Sequence, residues 1–288
     1  MVVVGGAPLA ALLAICAAIG AWELFRIARA SGLTPLEDAG IALAGIIPLA
    51  VHAQFLGVVL PVVAIAAVVF VVIVGATIWR RGVEGKPLSA AAVTIFGALY
   101  TGGMLSFGYA LRNHPYAFAD ARLSLGADRG FASSTTRGLI VPSGALLLML
   151  PVLVTWASDI GGYVVGRTMG KHKLIPSISP AKTVEGAIGG LIASVLVAVA
   201  FGNGVVRPAA QLGFKWYPWG LILFGAVVSV AAQIGDLAES LLKREAGVKD
   251  SSTILPGHGG ILDRLDSLFF VLPVSYLLIG WLMTWTVR

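Results

Sequence analysis

Charge is scarce in this chain. Only 12% of its 288 residues are Asp, Glu, Lys or Arg, 58% are hydrophobic, and the mean hydropathy is +0.92. Soluble domains are about a quarter charged, so ionisable groups are too few to cover a water-facing surface. Cysteine is scarcer still: Cys16 stands alone, which excludes a disulfide framework and a thiolate metal cluster. The apolar runs reach about 20 residues without apolar–polar alternation, which excludes a membrane β-barrel. No second histidine or thiolate has zinc-ligand spacing. There is no G-x-x-x-x-G-K-[ST] phosphate loop and no G-x-S-x-G nucleophile elbow. A basic-aromatic pattern is missing too, so no nucleic-acid partner is expected. Neither linker nor repeat divides the chain, so residues 1–288 read as one integral membrane domain. The N-terminus has no basic n-region or small-residue cleavage site, and its first apolar run reads as a retained span.

An all-α, polytopic integral membrane protein remains, because helices satisfy their own backbone hydrogen bonds in lipid. Eight candidate spans cover roughly 4–28, 38–55, 57–79, 89–111, 139–165, 185–203, 217–241 and 264–286. Each suits a hydrocarbon core about 30 Å thick. The second is weakest, being interrupted by Pro48, His52 and Gln54; with almost no loop before the third, the two also read as one broken hairpin. Alternate connections hold 13 of the basic residues, from Arg26 and Arg29 to Lys249 and Arg264, against 7 in the other set. The net charge of +6 therefore speaks of topology and anionic lipid heads, and the bias places the richer set in the cytoplasm and both termini outside. The loop over 112–137, with four arginines on the outer side, fits that rule least well.

Polar residues are distributed unevenly. Over 1–150 few ionisable groups fall inside spans, Glu23 being the clearest, and this half reads as helical scaffold. From 151 onward they form three clusters, each at the cytoplasmic end of a helix, and this half reads as the site. The first cluster, SDIGGYVVGRTMGKHKLIPSISPAKTVEGAIGG (158–190), holds Asp159 near the end of a hydrophobic run, where an acid is costly enough to suggest function. Its glycines permit close backbone approach. Ser179 and Thr183 precede a helix carrying Glu185, a capping signal. With Lys182 these groups make either a capped return into the membrane or an anion site.

In the second cluster Asp236, Glu239, Ser240 and Lys243 are spaced to share one helical face. They read either as an exposed helix tip held by a Glu239–Lys243 pair or as a stripe facing a polar cavity. The third, KDSSTILPGHGGILDRLDS (249–267), gathers Lys249, His258, Gly259, Gly260, Asp263, Arg264 and Asp266. Two acids in a first turn suit the helix dipole; hard oxygen ligands beside Lys and Arg are also how proteins hold Mg²⁺ with phosphates. His52, His114 and His172 are assigned no role. Trp216, Trp219, Trp281 and Trp285 read as an interfacial belt.

The run from Ser240 through Lys243-Arg244 and Lys249-Asp250 to Leu255-Pro-Gly-His-Gly-Gly-Ile-Leu-Asp-Arg-Leu-Asp266 resembles the signature of the phosphatidate cytidylyltransferases, the CDP-diacylglycerol synthases. The 158–190 stretch is similar to that family's Asp-x-Gly-Ala-Tyr and Ser-Pro-Lys-Lys-Thr-x-Glu-Gly segments, with Gly162 where Ala is usual and Ala181 in place of the first Lys. The second departure removes one positive charge. The family usually has one more hydrophobic helix at the N-terminus, so the chain is expected to start at the second.

The resemblance implies the reaction of CTP with phosphatidate to give CDP-diacylglycerol and pyrophosphate, with Mg²⁺ and, for some members, K⁺. It also implies a bacterial-type inner membrane, an active site facing the cytoplasm and, on the resemblance alone, a homodimer. Asp236 and Asp263 are expected as principal metal ligands, with Asp266 and Asp159 beside them or in support. Ser179, Lys182, Thr183, Lys243, Arg244, Lys249, Gly259, Gly260 and Arg264 are expected around the substrates' phosphates. His258 is expected to hydrogen-bond or protonate the leaving pyrophosphate. The nearest rival is a dolichol kinase-like enzyme, which would also use CTP. A secondary transporter would show polar sites in both halves. The Asp-Gly-x-x-Ala-Arg run of the CDP-alcohol phosphotransferases is missing.

Overall fold

Hydropathy and length dictate the architecture, and helices dominate it. The computed structural model describes residues 4–114, 133–136, 139–206, 219–254, 257 and 259–284. Among these, eight helices are long and apolar enough to cross a membrane: α1 (Gly6–Ala30), α2 (Glu37–Phe55), α3 (Val62–Arg81), α4 (Pro87–Arg112), α5 (Ser143–Met169), α6 (Val184–Val206), α7 (Gly220–Glu245) and α8 (Leu262–Thr284). The chain is an integral membrane protein. Val63, Val68, Phe70, Val71 and Val72 of α3 face outward, a surface suited to acyl chains and costly in water. α2 and α3 are separate helices, and α2 keeps Pro48 within it. Two short antiparallel hairpins supplement the helices: β1 (Ser133–Thr136) with β2 (Leu139–Pro142), and β3 (Lys173–Ile175) with β4 (Ser179–Thr183). Most of the 112–137 loop and His258 lie outside the described residues.

The chain packs as two compact units. One comprises residues 6–109 and 239–269, the other 1–5, 110–238 and 270–288. In the first, α1, α2 and α4 meet around Phe25, which is fully buried. Small residues make the room: a Cβ at Gly40 or Gly97 would fall 2.4 or 2.3 Å from its ring. α4 winds through a π-helical turn at Leu99–Gly103, where Gly102 lies against the backbone of Ala44. Thr94, also buried, accepts the Leu36 N–H at 2.8 Å, joining the start of α2 to α4.

In the second unit, Gly162 and Gly166 of α5 face Gly186 of α6, and Gly190 lies against the backbone of Ser158. On each helix the two glycines are four residues apart and so on one side. A Cβ on Gly186 would stand 2.8 Å from the Gly162 carbonyl oxygen. α7 ties into this seam through hydrogen bonds. Ser229 and Ser158 hydroxyls meet at 2.8 Å, and Gln233 donates to the Ala187 carbonyl at 3.1 Å. The glycines read from sequence as allowing close approach therefore set the α5–α6 contact.

Candidate functional site

In the second unit the β3–β4 hairpin delivers the chain to α6. Thr183 is the N-cap, its hydroxyl accepting the Gly186 N–H at 3.1 Å, as the capping signal predicts. Glu185 turns to the preceding loop and accepts from the Lys171 N–H and the His172 ring. A cavity of about 500 Å³ opens beside this turn, lined by Ser158, Asp159, Gly162, Tyr163, Gly166, Arg167, Leu174, Ala181, Lys182, Thr183, Gly186, Ala187, Gln233 and Asp236. Lys182 and Asp236 form an ion pair at 2.6 Å within this lining. Of the residues predicted in the first cluster, Asp159, Lys182 and Thr183 meet at the cavity; Ser179 sits at the start of β4, paired with Ile175.

The first unit holds a buried cluster. Lys243 of α7 reaches Glu239 at 3.1 Å and Asp263 at 2.6 Å. The Glu239 side chain is 1% exposed, Lys243 12% and Asp263 10%. A solvated helix tip is excluded for these residues. Asp236 and Glu239, three residues apart, take different lysines as partners.

Asp263 is held from every side. One carboxylate oxygen takes Lys243; the other accepts from the Ser251 N–H (3.0 Å), the Ser251 hydroxyl (2.7 Å) and the Gly260 N–H (2.8 Å). Hydrogen bonding thus gathers Lys243, Ser251 and Gly260 around one acid. Gly259 takes a left-handed conformation (φ +78°), which favours glycine. Gly260 has no room for a side chain: a Cβ there would lie 2.1 Å from the Ser251 hydroxyl oxygen and 2.3 Å from a Glu23 carboxylate oxygen. Gly260→Ala is accordingly expected to lose about 1–3 kcal/mol through overpacking. Thermal unfolding in detergent checks this, and a wild-type midpoint would show that the loop yields freely.

Arg244, Lys249 and Arg264 are exposed, and Asp266 is half-buried in the first turns of α8. Glu23, Ser251 and Ser252 were not among the predicted site residues. Glu23 comes from α1, is wholly buried, and accepts hydrogen bonds from Ser252, Ile261 and Leu262. Its signal in the sequence was the cost of an acid within a span; nothing local marked its partners. His52 and His114 serve packing. His52 meets the Tyr109 hydroxyl at 2.6 Å. His114 is 3% exposed against the ring of Tyr276, and burial lowers its pKa to about 4, so it is neutral at physiological pH.

The metal expectation meets a mixed arrangement. Among the described residues no three His, Cys, Asp or Glu side chains converge on one point. Each of the two acids expected to bind metal carries a lysine ammonium at 2.6 Å. The donors are nonetheless all carboxylate oxygens, the chemistry a hard cation takes, and one buried oxygen of Glu239 has no hydrogen-bond partner. By donor type the residues fit Mg²⁺, with ammonium groups supplying the positive charge in this structure.

One unit holds buried carboxylate–lysine contacts and the other a cavity beside a capped helix start, both on helices long and apolar enough to cross a membrane. Residues 1–282 match the cytidylyltransferase family, and the chain belongs to it. Among curated proteins, it is 48% identical over 136 residues to the phosphatidate cytidylyltransferases of Staphylococcus haemolyticus and Staphylococcus saprophyticus, covering 47% of this chain and 50% of each relative. Over the same length it is 46% identical to that of Staphylococcus aureus. The chain spans about half the length of the curated relatives it matches.

Proposed function

We propose that the protein transfers the cytidylyl group of CTP to phosphatidate, giving CDP-diacylglycerol and pyrophosphate for phospholipid synthesis. What carries the reading is the chain's likeness to enzymes of that name, together with the hydrogen bonds that Lys243, Ser251 and Gly260, all within the 240–266 signature, give to Asp263. A phosphatidate oxygen attacks the α-phosphorus of CTP, and the bond from that phosphorus to the oxygen of the β,γ-pyrophosphate breaks. The attacking phosphate monoester is already anionic at neutral pH, so no strong base is required. The barrier lies in bringing two polyanions together in line, which cations and fixed geometry lower.

The chain's own residues divide that work. Lys182, at the cavity wall, and exposed Arg244, Lys249 and Arg264 neutralise and orient phosphate oxygens. Lys243 exchanges between Asp263 and an incoming phosphate. Mg²⁺ would be held at Asp236 and at Asp263, with Asp266 and Asp159 in support; when bound it supplies charge neutralisation and Lewis acidity. A bacterial-type inner membrane with the reacting groups at the cytoplasmic face suits the basic-residue bias and lets CTP arrive from water while the lipid stays in the bilayer.

Purified protein given CTP labelled in the α-phosphate and phosphatidate should form labelled CDP-diacylglycerol and pyrophosphate with Mg²⁺, and none with excess EDTA. Release of CDP with a newly phosphorylated lipid would mark a kinase and overturn the proposal. So would a lack of lipid product across varied detergents, lipids and salts.

A further inference from the structure

We propose that Glu23 is a positioning residue of the reaction: from the first helix it clasps the signature loop and fixes the first turn of α8, and thereby the Asp263 carboxylate. The catalytic part of this inference rests on the cytidylyltransferase reading above.

Helix N-termini leave backbone N–H groups without intrahelical partners, and a nearby Ser, Thr, Asp or Asn side chain ordinarily accepts one of them. The residues before α8 are Gly259, Gly260 and Ile261, none of which carries a side-chain acceptor. Asp263 accepts the Gly260 N–H. The next two donors, the Ile261 and Leu262 N–H groups, go to the two oxygens of Glu23 at 3.1 and 2.6 Å. The Ser252 hydroxyl donates to the first of those oxygens. The Ser251 hydroxyl stands between two acids, 2.7 Å from Asp263 and 3.2 Å from Glu23. Its single hydrogen can serve only one of them at a time, so Ser251 is shared between the two carboxylates.

Ordinary packing does not require this arrangement. Glu23 is 0% exposed, and a buried carboxylate costs several kcal/mol unless its oxygens are fully hydrogen-bonded. A leucine in α1 would fill the same space without that cost but would leave the Ile261 and Leu262 N–H groups without this acceptor. The carboxylate is matched to two backbone donors in adjacent residues, a planar two-oxygen acceptor facing a two-donor turn. Glu23 is enclosed by its own partners, so its influence passes through the orientation of Asp263 and Lys243. Displacements of about 1 Å at such groups cost up to about 10²-fold in rate.

Substitution tests this sharply, because glutamine keeps the shape and loses the chemistry. In either orientation of the introduced amide, its NH₂ group meets a backbone N–H: Ile261 on one side or Leu262 on the other. We expect Glu23→Gln to lower kcat roughly ten-fold or more, with KM for CTP changed less than about three-fold because no substrate contact is removed. Ser252→Ala, which removes one of the clasp's donors, should lower kcat a few-fold. The double variant should be no worse than Glu23→Gln alone, since both act through one network.

Hydrogen exchange gives a second readout that needs no substrate: the Ile261 and Leu262 amides should lose protection in Glu23→Gln while α2 and α3 keep theirs. Wild-type kcat in Glu23→Gln, simple additivity in the double variant, or unchanged protection at Ile261 and Leu262 would each overturn the proposal. If Glu23→Gln yields no folded protein, Ser252→Ala decides alone, and turnover equal to wild type overturns it. Wild-type protein that makes no CDP-diacylglycerol removes the cytidylyltransferase reading, while the exchange measurement still decides the clasp.

Discussion

Asp263→Asn should insert and fold, yet lose about 10²–10³ of wild-type turnover, the usual cost of removing one preorganised electrostatic group from an active site. The asparagine carbonyl can take the place of the oxygen that accepts from Ser251 and Gly260, so the loop keeps three of its four hydrogen bonds. The fourth is inverted. Where Asp263 accepts from Lys243 at 2.6 Å, the amide presents donors to an ammonium. Lys243 then retains Glu239 alone, and the carboxylate offered to Mg²⁺ is gone. Steady-state turnover beside a thermal-unfolding curve separates the two effects. Activity within ten-fold of wild type would remove Asp263 from the reacting centre.

Lys243→Met should be costlier to the fold, by about 3–5 kcal/mol, the range for breaking a buried ion pair from one side. Methionine replaces most of the aliphatic stem but leaves Glu239 and Asp263 facing each other with no cation between them. Adding Glu239→Gln removes one of the two charges and should recover part of the loss. Unfolding midpoints of the single and double variants give the comparison. A double variant less stable than the single would mean that the damage is lost packing and not uncompensated charge.

The frame was legible because one variable decides it. Apolar runs near twenty residues become helices in lipid whatever their neighbours, and the expected 4–28 and 264–286 appear as Gly6–Ala30 and Leu262–Thr284. Local signals were also sufficient at Thr183, where a hydroxyl, a helix start and a following acid lie within three residues. Helical spacing put Asp236, Glu239 and Lys243 on one stripe and offered the Glu239–Lys243 pair. It did not tell that Asp236 takes Lys182 or that Lys243 also takes Asp263, because those partners are distant in sequence. The π-helical turn at Leu99–Gly103 had no marker either: it is set by the close approach of Gly102 to Ala44. Glu23 is the plainest case. An acid within an apolar span announces a cost, but its partners lie 228 to 239 residues away, and no pattern in α1 names them.

That separation also sets a schedule. During synthesis Glu23 enters the bilayer with α1, while the serines and the turn that satisfy it follow 228 to 239 residues later. At about 5–20 residues per second, roughly 10 to 50 seconds pass between them. Throughout that interval the nascent protein carries an unclasped acid inside its first span, which must be held by water, lipid headgroups or the insertion machinery. Completion of the loop ends the wait, so the residue that binds the Ile261 and Leu262 amides also reports that translation has reached α8.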